Sequence, residues 1–261
     1  MMYRIGLKLW SVNTAVYLPE AERLFAEGVF SYIELFIVPD TVETLDAWRR
    51  LHGEKGVPFV VHNAHAAAGF NLADRAAEAR NREIYAQTRT FADALGARYV
   101  IFHGGIDGTA EETARQLKAL WEPRALLENK PFVPLPNKVG AKFCRGATAE
   151  EIGYVLRETG CGFCLDVGHA VCAAASQGLE PYAHVGELAS RFSPAMFHLS
   201  DVSDISSPYD AHLHLGTGIL DVSRLKREVF PPDASISIET VKDSTTDLDD
   251  FIQDARYIEN A

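Results

Sequence analysis

Short apolar runs alternate with longer stretches of helical periodicity along almost the whole chain. Six of the runs end on a side chain able to bind a metal: FVVH at His62, YVIFH at His103, ALLE at Glu128, GFCLD at Asp166, AMFH at His198 and SISIE at Glu239. A parallel strand buried on both faces is a near-continuous apolar run and normally stops at a turn residue, not at a His or carboxylate. Six such endings in order predict a ring of strands converging ligands on one mouth. That is the α/β architecture of a single (β/α)8 TIM barrel, with its chemistry at the C-terminal ends of the strands.

The same pattern sets element boundaries. Strands are expected over 4–9, 31–36, 58–62, 98–103, 124–128, 162–166, 195–199 and 235–239, with helices between them. The longest helix is expected over 72–95, with Asn71 as its N-cap and Gly96 as a left-handed stop. A helical region follows the sixth strand as far as Arg191. No Ser/Gly linker or low-complexity tract divides the chain, so residues 1–261 are expected to form one barrel domain.

Composition narrows the classes. At 261 residues the chain is close to the ~250 typical of one such barrel. No apolar run approaches the ~20 residues of a membrane span. The start, MMYRIGLKLW, lacks signal-peptide architecture, which makes a cytoplasmic protein with no membrane partner the expectation. The net charge of −11 disfavours non-specific polyanion binding. A phosphate-bearing substrate would therefore need a local positive source. Cys161 and Cys164 have C-x-x-C spacing but lie inside a strand, where plain buried thiols are expected.

Two local pairs enlarge the strand-end set. Asp166-Val-Gly-His169 places a His three residues past a strand-end Asp, and Asp210-Ala-His212 lies in the long loop after the seventh strand. The candidate metal ligands are then His62, His103, Glu128, Asp166, His169, His198, Asp210, His212 and Glu239. This nitrogen-rich mixture suits Zn²⁺ or Mn²⁺ over Ca²⁺. It is too large for one ion, and two to three ions are expected. Three divalent ions among four carboxylates leave about +2 at the mouth, enough to hold a phosphodiester on an acidic protein.

The strings FVVHNAHAAAGFNLA, YVIFHGG, LLEN, CLDVGHA, MFHLSD, DAHLHLGTG and ISIET resemble endonuclease IV, the trinuclear-zinc enzyme that cuts DNA at abasic sites. The resemblance implies that His62, His103 and Glu128 hold one zinc. Asp166, His198 and Glu239 would hold a second, with Glu128 bridging the two, and His169, Asp210 and His212 a third. It makes abasic-site DNA the first substrate to consider. Two departures stand out: the loop after the second strand, VPDTVE, carries no base, and His65 replaces an aromatic wedge. The chain also resembles the sugar isomerases and epimerases akin to xylose isomerase, whose single Mn²⁺ or Mg²⁺ would fall on Glu128, Asp166, His198 and Glu239. That resemblance implies a sugar or sugar-phosphate substrate. Glu128, Asp166 and Glu239 are the expected catalytic carboxylates.

Other polar residues are read more plainly. The loop 129–146 holds Lys130, Lys138, Lys142 and Arg145 with Phe132, Phe143 and no acidic residue, a composition suited to a phosphorylated ligand. His65 and His214 are expected near the mouth, His52 and His184 on helix surfaces. Glu34 is expected to be a structural ion-pair partner.

Overall fold

The computed structural model describes residues 3–135 and 140–261. Eight parallel strands close in chain order: β1 (Arg4–Trp10), β2 (Tyr32–Phe36), β3 (Phe59–His62), β4 (Val100–His103), β5 (Ala125–Glu128), β6 (Gly162–Asp166), β7 (Met196–Leu199) and β8 (Ser235–Ile238), with β8 pairing back onto β1. The α-helices are α1 (Leu18–Ala26), α2 (Leu45–Lys55), α3 (Glu78–Ala94), α4 (Ala110–Leu120), α5 (Ala149–Thr159), α6 (Val167–Gln177), α7 (Pro181–Phe192), α8 (Val222–Glu228) and α9 (Asp249–Asn260). Among the described residues no helix is long and apolar enough to cross a membrane.

Side chains of each strand point alternately to the helices and into the lumen. Outward residues such as Leu7, Ile33, Val61, Phe102, Leu127 and Leu165 share one core with Leu24, Trp48, Leu117 and Phe251 of the helices. Each fully buried side chain of this kind contributes about 1.5–3 kcal/mol. Inward residues form a separate plug of Tyr32, Val60, Ile101, Leu126, Cys164 and Met196. Gly6 faces Tyr32 in register, and a Cβ at residue 6 would overlap the tyrosine ring. The glycine lets that ring cross the lumen to Ser237, whose Oγ is 3.1 Å from the phenol. Two residues further along the strands, His62, His103, Glu128, Asp166 and His198 also point inward. The plug therefore supports a floor of ligating groups.

Several boundaries differ from the expected ones. Helix α3 begins at Glu78, after a 3-10 turn over Arg75–Ala77 capped by Asp74. Asn71 is not a helix cap. Its amide accepts from the Ala73 and Ile106 backbones and donates to the Ile106 carbonyl, tying two loops at the mouth. The region after β6 is two helices, broken at left-handed Gly178 and restarted by Pro181. His184 on α7 is buried, contrary to the surface expectation, because it lies on the helix face buried with Val185 and Leu188. His52 is half-buried, its Nδ1 2.9 Å from the Val57 carbonyl. None of the four cysteines is in a disulfide.

Candidate metal centre

The donor groups meet at the C-terminal mouth because strand ends and caps are coupled. Asp166 ends β6 and also caps α6, its Oδ1 accepting from the His169 amide at 2.7 Å. The D-x-x-H spacing therefore puts both side chains over one opening. Asn129 clamps β5 to β6 with a reciprocal pair, donating to the Asp166 carbonyl at 2.9 Å and accepting from its amide at 2.8 Å.

Asp210 and His212 sit on an irregular loop that must be held in place. Buried Asp201 does this, its carboxylate accepting from the amides of Val202, Gly216, Gly218 and Leu220. A Cβ on Gly218 would overlap that carboxylate. His212 is left-handed at φ 47°, a conformation that costs a non-glycine residue on the order of 1–3 kcal/mol. The strain is held by hydrogen bonds from His212 Nδ1 to the Glu239 carbonyl at 2.7 Å and from the Val241 amide to the His212 carbonyl.

Ligand atoms of His62, His103 and Glu128 lie within 4.8 Å of one another, as do those of Asp166, His198 and Glu239, and those of His169, Asp210 and His212. Glu128, Asp166 and His169 form a further such set. All nine candidate ligands thus converge on one floor, with Glu128 between sets. His62, His169 and His212 direct Nδ1 to the carbonyls of Asn63, Asn129 and Glu239, at 2.7, 3.0 and 2.7 Å. With Nδ1 held at a carbonyl, Nε2 is turned to the cluster, the arrangement of a metal-binding imidazole.

The centre is strongly charged and incompletely satisfied. Glu34 Oε2, Glu128 Oε1 and both ring nitrogens of His198 are buried without a hydrogen-bond partner among the described residues. They have close neighbours, such as Glu239 Oε1 at 2.8 Å from His198 Nδ1, but at angles that form no hydrogen bond. Burial alone would raise the Glu128 carboxyl, yet His103, Lys130 and His198 hold it well below the usual range. Asp166 is raised by burial, against the pull of His169 and with the push of Glu128 and Asp210. Burial opposes charge on His169, but Asp166 and then Asp210 and Glu128 raise it to about 10. Such groups share protons that a divalent ion would displace. Unpartnered buried oxygens and nitrogens among clustered carboxylates and imidazoles fit a metal site.

Above the floor is a cavity of about 380 Å³, within the small-molecule range. Trp10, Phe36, Pro131, Val133, Leu135 and Val241 line its walls. His65 also lines it, stacked on His103 with ring centroids 5.5 Å apart. Burial first, then Lys130 and His62, push His65 down to about 3. Lys130 reaches in, its Nζ 3.1 Å from His169 Nε2 and 3.8 Å from Glu128 Oε1.

The other basic residues of loop 129–146 are placed differently. Arg145 bonds the Asp107 and Gly108 carbonyls and Glu151, and lies under the loop instead of facing the cavity. Lys142 is outside the lining, and Lys138 lies outside the described residues. His214 does not line that cavity; its Nδ1 lies 2.9 Å from Asp254 Oδ2. Lys8 and Glu34 were the residues of the centre that the strand-end pattern missed. They lie one step down the strands, and a charge within each apolar run was the available signal.

A closed eight-stranded parallel barrel with ligands at its strand ends defines a TIM-barrel enzyme superfamily. A sequence profile described as Xylose isomerase-like TIM barrel matches residues 23–261, and the chain belongs to that family. It is similar to a probable endonuclease 4 of Mycobacterium leprae, 30 % identical over 202 residues covering 73 % of this chain and 77 % of the relative. Among solved structures, an endonuclease IV of Thermus thermophilus superposes with a TM-score of 0.68 at 24 % identity, over 99 % of this chain and 100 % of that one. A D-tagatose 3-epimerase-like protein superposes with a TM-score of 0.73 at 18 % identity, over 98 % and 96 %. Both structural likenesses show the fold.

Proposed function

We propose that this chain is a zinc-dependent phosphoester hydrolase acting on one sugar-phosphate unit, either free or exposed at an abasic site in DNA. The observation that carries the reading is the third donor set. Asp201, the left-handed His212 and the β8 end together bring Asp210 and His212 to His169. A single-ion sugar isomerase would have no use for that arrangement. Bound divalent ions would supply Lewis-acid polarisation of a phosphoryl oxygen and activation of the attacking water. His62, His103 and Glu128 would hold one ion, Asp166, His198 and Glu239 a second, and His169, Asp210 and His212 the third. Lys130 adds a positive charge in the cavity, and the apolar walls would exclude bulk water from the reacting phosphate.

Cavity size supports a second reading. A space of about 380 Å³ also suits a single sugar, with Glu128 and Glu239 as acid and base around one Mn²⁺ or Mg²⁺. One experiment separates the two. Protein purified without added metal is analysed for elements, then assayed on an abasic-site duplex, on a small aryl phosphodiester and on ketoses. The hydrolase reading expects two to three zinc ions per chain and chelator-sensitive cleavage of a phosphoester, with Glu128→Gln lowering occupancy by more than one ion. One ion per chain together with epimerisation of a ketose would replace it with the isomerase reading.

A further inference from the structure

On the β1–β2 side of the floor, where Lys8 reaches the cavity, lies an ion pair that the nine-ligand reading does not use. Lys8 on β1 faces Glu34 on β2 in register, and its neighbour Leu7 pairs with Ile238, the residue before Glu239. The ammonium bonds Glu34 Oε1 at 2.6 Å and also bonds Glu239 Oε1. The other Glu34 oxygen lies 2.9 Å from His198 Nε2, while His198 Nδ1 faces Glu239 and Asp166 at 2.8 and 3.9 Å. Glu34 and His198 are fully buried, and Lys8 is 7 % exposed.

A buried ion pair is weak evidence for stability, because desolvation offsets the attraction. The lumen below is filled largely by Tyr32, Val60, Met196 and similar residues, so apolar side chains would fill this layer as well. What the pair does supply is geometry. It bonds Glu239 Oε1, the oxygen that also faces His198 Nδ1, and sets the Glu34 carboxylate against His198 Nε2, leaving Nδ1 turned to Glu239 and Asp166. Burial alone would lower the Lys8 ammonium, but Glu239, Glu34 and Glu128 raise it above its ordinary value, so it stays charged. Glu34, His62 and Glu239 are themselves a convergent donor set, and the Lys8 ammonium already stands between its two carboxylates.

We propose that Lys8 and Glu34 are positioning residues that orient Glu239 and His198 for the metal ion of the β6–β8 side. This rests on the metal-centre reading above. Partners that orient metal ligands typically change metal affinity 10–100-fold when removed, so Lys8→Met should lower affinity at this one set by about that factor. The full-length protein is purified with its resident metal, and ions per chain are counted before and after a graded chelator challenge. Melting is followed in parallel. Lys8→Met should release one ion at chelator concentrations that leave the wild type loaded, and keep the others. Because Lys8→Met leaves Glu34 buried and uncompensated, Lys8→Met/Glu34→Gln is the control. It should recover the melting temperature yet still release that ion early.

Full retention of metal by both variants would overturn the proposal, and would make Lys8 a substrate contact at most. Recovery of metal in the double variant would also overturn it, reducing the pair to charge neutralisation. A gain of one ion in Lys8→Met would do the same, showing that Lys8 merely occupies a further site. If the wild type itself holds no ion, the metal reading fails first and independently.

Discussion

Asp201 carries more of the centre than its distance from the chemistry suggests. Its carboxylate is fully buried and accepts four backbone amides, so it sets the path of the loop that delivers Asp210 and His212. Removing it strands those donors, at about 1–3 kcal/mol for each that water cannot reach. Asp201→Ala should destabilise the protein by about 2–4 kcal/mol in urea unfolding and lose the ion assigned to His169, Asp210 and His212. Unchanged stability with full metal content would show that the loop is held elsewhere. The strand-end ligands could be read in the sequence because a His or carboxylate closing an apolar run is locally anomalous. Asp201 could not, because an Asp in a polar loop looks like any turn residue until four amides point at it. Arg145 erred in the other direction: a basic loop residue looks available for phosphate until two carbonyls and Glu151 take its guanidinium.

Elements followed the hydrophobic pattern closely where both faces of a strand are buried, since outward and lumen residues alike must then be apolar. All eight strands fall within a residue or two of the expected positions. The pattern failed where tertiary contacts override propensity, as at Asn71, which bridges loops instead of starting α3. It also failed at His184 on α7, where one polar residue within an amphipathic helix gives no hint of its face. His184 is 3 % exposed and has no hydrogen-bond partner on either nitrogen among the described residues. Burial lowers its pKa, partly offset by Glu187 and Glu150. A histidine depressed in the fold stabilises it fully above the ordinary value of about 6.5, and that contribution is lost as pH falls below it. Wild type should therefore lose more melting temperature between pH 7.5 and 5.5 than His184→Leu. The metal-centre histidines are common to both proteins and cancel in the comparison. Equal losses would mean that His184 protonates without penalty.

At the scale of the whole molecule, charge and shape pull on the substrate in opposite directions. The chain carries a net −11, while the mouth concentrates Lys8, Lys130 and the metal donors around a cavity of about 380 Å³. A negative surface repels a long polyanion, but the field of ions bound at the proposed centre would act locally within a Debye length of about 8 Å at physiological salt. The arms of loop 129–146 that were expected to add a basic rim contribute only Lys130 to the cavity among the described residues. Recognition should then depend on one phosphate entering the cavity and hardly at all on flanking backbone. Inorganic phosphate should compete with substrate at the centre, and Lys130→Ala should weaken that competition several-fold without changing metal content. Undamaged duplex should bind no more tightly than the ~10⁻⁴–10⁻⁶ M of non-specific complexes at physiological salt, and should weaken further as salt rises. Anisotropy titrations of labelled duplex at several salt concentrations test this. Nanomolar binding of undamaged DNA that persists in salt would mean that a nucleic-acid surface exists elsewhere on the barrel, and that the cavity is not where the substrate is chosen.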